Sequence, residues 1–149
     1  MTEKKNQSIR YLTKQDVAGL HAKLAADALR DGDEPLPAFR YGRQDDIDAL
    51  VAAPQQRFYG QDAYPTLAEK AAIIFYTVNR QRIFPNGNKR MSTLCLVTFL
   101  RLNGADLVIP TQELTAKAVW LATVEASGFP AVKADLVAWI EAHLRVLEM

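Results

Sequence analysis

The stretch that decides the fold is TLAEKAAIIFYTVNRQRIFPNGNKRMSTLCLVTFLRLNG, residues 66–104. Thr66 and Glu69 have the spacing of a capping box, in which each side chain binds the other's backbone N–H at a helix start. Apolar residues then recur every three or four positions, as on one face of a helix: Leu67, Ala71, Ile74, Phe75 and Val78. These signals predict a helix over Thr66–Arg82, ended before Pro85.

A second helix is predicted from Asn88 to Asn103, with Gly104 at the position where helix ends favour glycine. Its middle, LCLVTFL (residues 94–100), is apolar on nearly every side. A helix of this kind in a globular domain is usually the buried central one. Cys95 falls on it, so we expect a small core residue and not a nucleophile.

The rest of the chain also favours helices, predicted over Thr13–Asp31, Asp45–Ala53, Thr111–Ser127 and Pro130–Leu147. Residues 54–64, PQQRFYGQDAY, lack a helical period and place two aromatic residues beside a glycine, which predicts a hairpin-like loop. Leu107–Pro110 is too short and proline-ended to seed a sheet. The sequence thus predicts one all-α domain over residues 1–149, with about six helices around a central buried one and at most one small hairpin. Residues 1–10 are expected to form a flexible tail.

Composition excludes several classes of protein. The chain has 18 Lys and Arg against 17 Asp and Glu, and this near balance argues against a polybasic nucleic-acid binder. A single cysteine excludes a disulfide framework and a cysteine-rich zinc site. Its apolar runs are far shorter than the ~20 residues that span a bilayer, and the N-terminus lacks the apolar segment of a secretory signal. We therefore expect a cytoplasmic protein without direct nucleic-acid or membrane contact.

The loop between the two strongest helices, RIFPNGNKR (residues 82–90), is rich in groups that bind anions. Its NGN segment, residues 86–88, favours left-handed conformations that turn successive backbone N–H groups to one side. The loop runs into a helix N-terminus, where free N–H groups and the helix dipole favour negative charge. Four cations fall within eleven residues without an acidic residue among them: Arg80, Arg82, Lys89 and Arg90. The alternative is a tight turn whose cations are merely solvated.

These residues resemble the signature of the Fic/Doc family, H-x-F-x-[D/E]-G-N-[G/K]-R. Five of its seven specified positions match in order and spacing: Phe84, Gly87, Asn88, Lys89 and Arg90. YPTLAEKAA (64–72) is similar to the family's entry to the preceding helix and FLRLNG (99–104) to its exit from the next. LH (20–21) and LVAAP (50–54) resemble the first-helix and pre-loop segments of the Doc branch, so the resemblance spans residues 20–106. Lys89 stands where Fic enzymes carry glycine, which favours the Doc branch.

The resemblance implies a transferase. Fic proteins move AMP or another phosphate-containing group from a nucleotide to a hydroxyl of a target protein. The Doc branch transfers phosphate from ATP to a component of translation, as the toxin of a toxin–antitoxin pair. By this resemblance the cofactors are ATP and Mg²⁺, and the partners are a protein target such as a translation factor and a small antitoxin. Gly87, Asn88, Lys89 and Arg90 would bind the nucleotide phosphates, and the last two would neutralise charge during transfer.

The resemblance also assigns a role to the segment around residue 58. Arg57, Phe58 and Tyr59 fall where family members have a flap that docks the target as an added strand. The alternative is a surface loop whose aromatic side chains pack on the domain.

Two positions depart from the signature. Arg82 stands at the histidine that accepts the proton of the attacking hydroxyl, and Asn86 stands at the acidic residue that holds Mg²⁺. Arginine stays protonated at physiological pH and cannot act as a general base, whose loss costs about 10²–10⁴-fold in rate. Asn86 offers Mg²⁺ a carbonyl oxygen without the charge of a carboxylate. We therefore expect impaired or absent activity.

Three explanations for Arg82 stay open: a natural pseudoenzyme that binds a nucleotide or partner, a detoxified variant of an active toxin, or a base supplied elsewhere. His21 and His143 are poor candidates for that base, because both lie in predicted helices outside the loop. The autoinhibitory sequence of some Fic proteins, [S/T]-x-x-x-E-[G/N], is absent from the chain, so inhibition is expected from a separate antitoxin.

Overall fold

The structure, a computed structural model, describes residues 8–124 and 128–147. In this part of the chain there are six α-helices: α1 (Lys14–Asp31), α2 (Gln44–Ala52), α3 (Leu67–Arg80), α4 (Asn88–Leu102), α5 (Thr111–Thr123) and α6 (Phe129–His143). Four short strands form two antiparallel pairs, β1 (Arg57–Phe58) with β2 (Gln61–Asp62), and β3 (Ala105–Leu107) with β4 (Leu144–Val146). The predicted helical fold is confirmed. None of the described helices combines the length and apolarity needed to cross a membrane.

Capping residues fix the starts of two helices. Thr13 and Asp16 form a reciprocal capping box at the start of α1. At the start of α3 the Glu69 N–H donates to Thr66 Oγ1 at 3.0 Å, and the Thr66 hydroxyl donates to Glu69 Oε1 at 3.1 Å. Gly104, with φ of 73°, follows α4 as the predicted left-handed residue. These local signals set the boundaries on either side of the central loop.

Helices α3 and α4 form the centre of the molecule. The apolar buried residues of α3 are Ala68, Ala71, Ala72, Ile73, Ile74, Phe75 and Val78. No residue from 91 to 100 of α4 is exposed, which confirms the prediction of a buried central helix. Helix α6 packs on α3, and α5 contacts both central helices. Because residues 81–87 join α3 to α4, the packed core holds both ends of this loop.

The predicted hairpin is confirmed. Arg57 pairs with Asp62 and Phe58 with Gln61, so the two strands are joined by a two-residue turn. Tyr59 and Gly60 form this turn with φ of 53° and 80°, the positive values that suit a tight hairpin. All four strand residues are exposed.

The second strand pair is one that the sequence does not predict, since Leu107–Pro110 is too short to seed a sheet by itself. Leu107 ends β3 and pairs with Leu144 of β4. The ladder extends through a 2.8 Å hydrogen bond from the Val108 N–H to the His143 carbonyl. Ala105 and Leu107 are buried, so the pairing satisfies backbone groups at the edge of the core. The partner strand lies far along the chain, and no local pattern reveals it.

Three helices end at least two residues earlier than predicted. Helix α6 ends at His143 because the next three residues join the sheet. Helix α3 ends at Arg80, since Arg82 has a left-handed backbone that cannot continue a right-handed helix. Helix α5 ends at Thr123, and residues 125–127 of that prediction lie outside the described residues.

The N-terminal end of the described chain is tied to α4. Residues 1–7, most of the expected tail, lie outside the described residues. Arg10 donates its backbone N–H to Asn103 Oδ1 at 2.9 Å, and its carbonyl accepts from Asn103 Nδ2 at 2.9 Å. This reciprocal pair fixes the chain next to the end of the central helix.

Candidate functional site

The loop that joins the central helices begins with a residue in a rare conformation. Arg82 has φ of 49°, in the left-handed region that side-chain-bearing residues seldom adopt. Arg43, just before α2, holds this turn through its guanidinium, which donates to the carbonyls of Gln81 and Arg82. The backbone N–H of Arg43 donates to the Ile83 carbonyl at 2.9 Å. These contacts define the backbone path at Arg82 and leave that residue exposed.

The middle of the loop is closed by the side chain of Asn88. Its Oδ1 accepts the Phe84 N–H at 2.9 Å, and its Nδ2 donates to the Phe84 carbonyl at 2.7 Å. Both ends of this amide are therefore engaged with one loop residue. The arrangement closes the loop onto the first turn of α4.

The ring of Phe84 anchors the loop in an aromatic cluster. Its centroid lies 5.0 Å from that of His21 in α1 and 5.9 Å from that of Phe39. Gly42 packs on the same ring, because a Cβ atom added there would lie 2.9 Å from Phe84 Cδ1. The signature phenylalanine is thus a buried support and leaves the charged residues of the loop outside.

Gly87 makes the turn into α4. Its φ is 81°, and an added Cβ would lie 3.0 Å from Leu36 Cδ2, so both conformation and space favour glycine. The Gly87 N–H donates to Asn86 Oδ1 at 2.8 Å. Glycine has no side chain to cap the helix that follows, and no side-chain cap forms there.

The start of α4 presents unpaired hydrogen-bond donors. The backbone N–H groups of Asn88, Lys89 and Arg90 have no acceptor among the described residues, while the Met91 N–H bonds to the Gly87 carbonyl. The first turn contains no acidic residue, and the side chains of Lys89 and Arg90 are exposed. Arg90 Nη1 lies 3.7 Å from Asp33 Oδ2. This helix start has the donors and positive charge that bind an anion.

A buried network of side-chain hydrogen bonds contacts the backbone at the start of α4. Ser92 Oγ donates to the Lys89 carbonyl at 2.6 Å, and Asn79 Nδ2 of α3 donates to Ser92 Oγ at 3.3 Å and to the Ala118 carbonyl at 3.0 Å. Asn79 Oδ1 is buried without a partner among the described residues. The network links three helices to the backbone of Lys89.

A cleft of about 410 Å³ adjoins the first half of the loop. Its lining residues are Tyr41, Arg43 and residues 80–85. Arg82 lies in this cleft, whereas residues 87–90 lie outside it at the start of α4. Arg80 is not a free cation of the loop, because its Nη1 donates to the carbonyls of Leu121 and Val124 at 3.1 and 2.8 Å. The expected group of four cations is therefore reduced to three.

The loop offers little to a metal ion by itself. Asn86 is exposed, and its only side-chain oxygen already accepts the Gly87 N–H. Within the described residues, no three His, Cys, Asp or Glu side chains come together as a metal site. The structure thus fits an anion at this loop better than a divalent cation.

The remaining basic and nucleophilic candidates lie in the core or in helices. Burial lowers the pKa of the His21 imidazole, which faces the Phe84 ring. His143 Nδ1 lies 2.8 Å from the Trp139 carbonyl, at the end of α6. Cys95 is fully buried, and this burial raises the pKa of its thiol to about 12. Cys95 is a core residue, as the sequence predicts.

The flap residues lie at the surface of the β1–β2 hairpin. Phe58 is 62% exposed, and Tyr59 at the tip is fully exposed. The side chain of Arg57 turns back to bind the Gly60 carbonyl and to pair with Asp62 at 3.5 Å. The aromatic side chains therefore do not pack on the domain, which removes the alternative reading of this segment.

Comparison with known proteins shows the family of this chain. The sequence matches the Fic/DOC family over residues 11–100. The chain belongs to the Fic/Doc family. It is also 39% identical over 97 residues to a protein named Toxin Doc from Mycolicibacterium smegmatis, an alignment that covers 65% of this chain and 67% of that protein. Both the predicted family and its Doc-like branch are confirmed.

Within this Fic/Doc chain the signature residues divide into two groups. Phe84 and the Asn88 side chain build the loop, while the start of α4 with Lys89 and Arg90 faces solvent. The two departures, Arg82 and Asn86, are both exposed positions of the loop. Arg82 enters the contacts that shape the loop through its backbone carbonyl, and the Asn86 side chain accepts the neighbouring Gly87 N–H.

Sequence reasoning missed three residues of the site. Arg43 and Gly42 support the loop, and Asp33 pairs with Arg90. All three lie between α1 and α2, in a segment with no motif of its own. Only the packing of that segment against the loop reveals them.

Proposed function

We propose that this chain is a Doc-like toxin of a toxin–antitoxin pair that binds ATP and is impaired in transferring phosphate to a hydroxyl of a target protein. Membership of the Fic/Doc family and the similarity to a protein named Toxin Doc support the proposal. AMP transfer, the other reaction of the family, would use the same phosphate site. The enzyme class is a transferase of phosphorus-containing groups.

The observation that carries the proposal is the uncapped start of α4. Three backbone N–H groups without acceptors among the described residues lie beside two exposed cations, Lys89 and Arg90. A phosphate group would accept from these N–H groups and neutralise both side chains. Because both ends of the Asn88 amide bind Phe84, Asn88 would meet the phosphate through its backbone N–H, and its side chain would hold the loop.

Arg82 accounts for the impairment. A guanidinium cannot accept the proton of an attacking hydroxyl, so the step that the family histidine performs has no base at this position. Arg43 and Arg80 also line the cleft beside Arg82, and no carboxylate is among its described lining residues. Arg43 pairs with Asp46 at 2.9 Å. Arg82 can still attract a phosphate or an acidic surface of a partner.

Magnesium would reach this site with the nucleotide and not through a protein carboxylate. Asn86 can contribute one neutral oxygen, which already accepts a hydrogen bond. If Mg²⁺ binds here, Asn86 is the loop residue that would hold it, and the ion would offset phosphate charge. We therefore assign the protein's own phosphate binding to Lys89, Arg90 and the backbone of α4.

The proposed partners follow from the same assignment. The exposed hairpin, with Arg57, Phe58 and Tyr59, would dock the protein target as an added strand, and a translation factor is the expected target. A small antitoxin would supply inhibition. Both partners imply action in the cytoplasm.

A second candidate function is a non-catalytic protein that holds a nucleotide or an acidic partner. The specific observation in its favour is Arg82, a permanent cation at the position of the base, in a turn held by Arg43. This pseudoenzyme would share the phosphate site and differ only in turnover.

Calorimetric titration with ATP and Mg²⁺ tests the nucleotide site that both candidates share. We expect binding by the unmodified chain and at least about tenfold weaker binding by Lys89→Ala, because a charge-assisted contact to phosphate is lost. Lys23→Ala is the matched control, since Lys23 is an exposed lysine paired with Asp27 on α1. Absence of binding, or equal affinity of Lys89→Ala and the unmodified chain, would overturn the nucleotide site.

A further inference from the structure

Lys70 is a buried lysine that the site described above does not use. It lies on α3, one turn after the helix start, and it is 2% exposed. Lysine is rarely buried to this degree unless its ammonium group has partners, because removing the charge from water is costly. The burial of Lys70 therefore indicates a specific structural role for its ammonium group.

The ammonium group of Lys70 meets three oxygens. Nζ donates to the Tyr64 carbonyl at 2.6 Å and, at 3.4 Å each, to the Pro54 carbonyl and Asp62 Oδ2. An ammonium group has three donors, so these contacts can satisfy it completely. The three acceptors come from the chain before, within and after the β1–β2 hairpin.

The hairpin has little else to hold it in place. Its strands have two residues each and all four are exposed, and an isolated two-stranded hairpin is only marginally stable in water. Its base is closed by a 2.8 Å hydrogen bond from the Ala63 N–H to the Gln56 carbonyl. Lys70 joins both flanks of the hairpin to α3 through hydrogen bonds, and Ala53–Gln55 before the hairpin also contact this helix.

We propose that Lys70 is a positioning residue that locks the base of the hairpin onto α3. The same helix ends at Arg80, where the signature loop begins, so one rigid element carries the hairpin at one end and the phosphate-binding loop at the other. The positioning role stands on the contacts of Lys70. Its consequence, a hairpin held in register for a target hydroxyl, rests on the proposed function.

Hydrogen exchange of Lys70→Met tests the positioning role. Methionine keeps the length and apolar stem of the side chain and removes the three donors. We expect exchange at the Ala63 amide to become about tenfold faster, together with faster tryptic cleavage after Arg57. Lys117→Met is the matched control, because Lys117 is a shielded lysine that pairs with Asp135 at 2.6 Å, between α5 and α6. Exchange at Ala63 that rises no more in Lys70→Met than in Lys117→Met would overturn the proposal.

Asp62→Asn gives a second variant that retains the buried ammonium. Asp62 is partly exposed, so this variant tests the hairpin side of the contact even where Lys70→Met fails to fold. We expect exchange at Ala63 to rise about threefold, as for loss of a half-exposed ion pair. Arg57→Ala removes the other cation near Asp62 and should have the smaller effect. Unchanged exchange in Asp62→Asn would contradict the lock.

A kinetic measurement separates this role from the proposed function. In an Arg82→His background, we expect Lys70→Met to raise the KM for the protein target and to leave the KM for ATP and kcat unchanged. If Lys70 only stabilised the fold, Lys70→Met would lower kcat or expression without a selective rise in the KM for the target. That result would overturn the positioning role. A third outcome is faster exchange at Ala63 in Lys70→Met together with an unchanged KM for the protein target. In that case Lys70 does hold the hairpin, and the docking role of the hairpin is overturned.

Discussion

Asn88 holds Phe84 through both ends of its side-chain amide, with Oδ1 2.9 Å from the Phe84 nitrogen and Nδ2 2.7 Å from the Phe84 oxygen. This asparagine of the family signature therefore shapes the loop. The positions of Lys89 and Arg90, which follow it in the first turn of α4, depend on this contact.

Replacing Asn88 by alanine should lower the free energy of unfolding by about 1–3 kcal/mol, because two half-buried backbone groups of Phe84 lose their partner. Urea unfolding followed by circular dichroism measures the change. Asn86→Ala is the control, since the exposed Asn86 side chain bonds only its neighbour's N–H and should cost less than about 1 kcal/mol. Equal losses in the two variants would contradict this role of Asn88.

Gly87→Ala should be more destabilising than Gly32→Ala, although both glycines have similar positive φ, 81° and 75°. A Cβ at Gly32 meets open space and adds only the conformational cost of about 1–2 kcal/mol. At Gly87 the same atom lies 3.0 Å from Leu36 Cδ2, so a packing cost is added. Thermal unfolding of the two variants compares them, and a loss at Gly87 no larger than that at Gly32 would show that Leu36 moves aside freely.

Local sequence signals predict much of this fold because they act over a few residues. Thr13, Thr66 and Gly104 set helix ends through their own hydrogen bonds and φ angles, and the hairpin turn follows from an aromatic-glycine pair. The β3–β4 pair escapes prediction because α5 and α6 separate Leu107 from Leu144 along the chain, so no local pattern pairs them.

The features of the site also divide into those that the local sequence predicts and those that only tertiary contacts reveal. The start of α4 and its cations follow from the motif, since a loop that enters a helix exposes N–H groups by geometry alone. Two other features arise from tertiary contacts. Arg43 supports the loop, and Arg80 donates to a backbone carbonyl near the end of α5, so it is not a free cation of the loop. A charge count along the chain cannot distinguish a cation that binds backbone carbonyls from one that is free.

The stability of the protein should fall as the pH drops below about 6.5. Burial against Phe84 and Phe39 lowers the pKa of His21 in the folded state, so the unfolded chain binds the proton more readily. Stability is therefore fully present above the unfolded value and declines as the pH falls towards the folded one. Urea unfolding at about pH 7.5 and pH 5 should show a smaller decline in His21→Leu. An identical decline in both proteins would assign the effect to other groups.

Cys95 should resist thiol reagents in the native protein. Its thiol is buried in the core, with a pKa raised to about 12, so neither access nor the thiolate form is available near neutral pH. We expect labelling by a chromogenic disulfide to follow the rate of unfolding and to be complete in denaturant. Rapid stoichiometric labelling under native conditions would contradict the core assignment.

The central claim, a phosphate-transfer site disabled by Arg82, is tested most directly by Arg82→His. Growth after induction and transfer of label from ATP to proteins of a cell extract would be measured for the unmodified chain, Arg82→His and Arg82→Gln, which removes the cation without supplying a base. We predict arrest and labelling with Arg82→His, about 10²–10⁴-fold above the other two, and loss of both in an Arg82→His, Lys89→Ala double variant. Arg82→His that neither arrests growth nor labels any protein would contradict the claim, and so would equal labelling by Arg82→Gln.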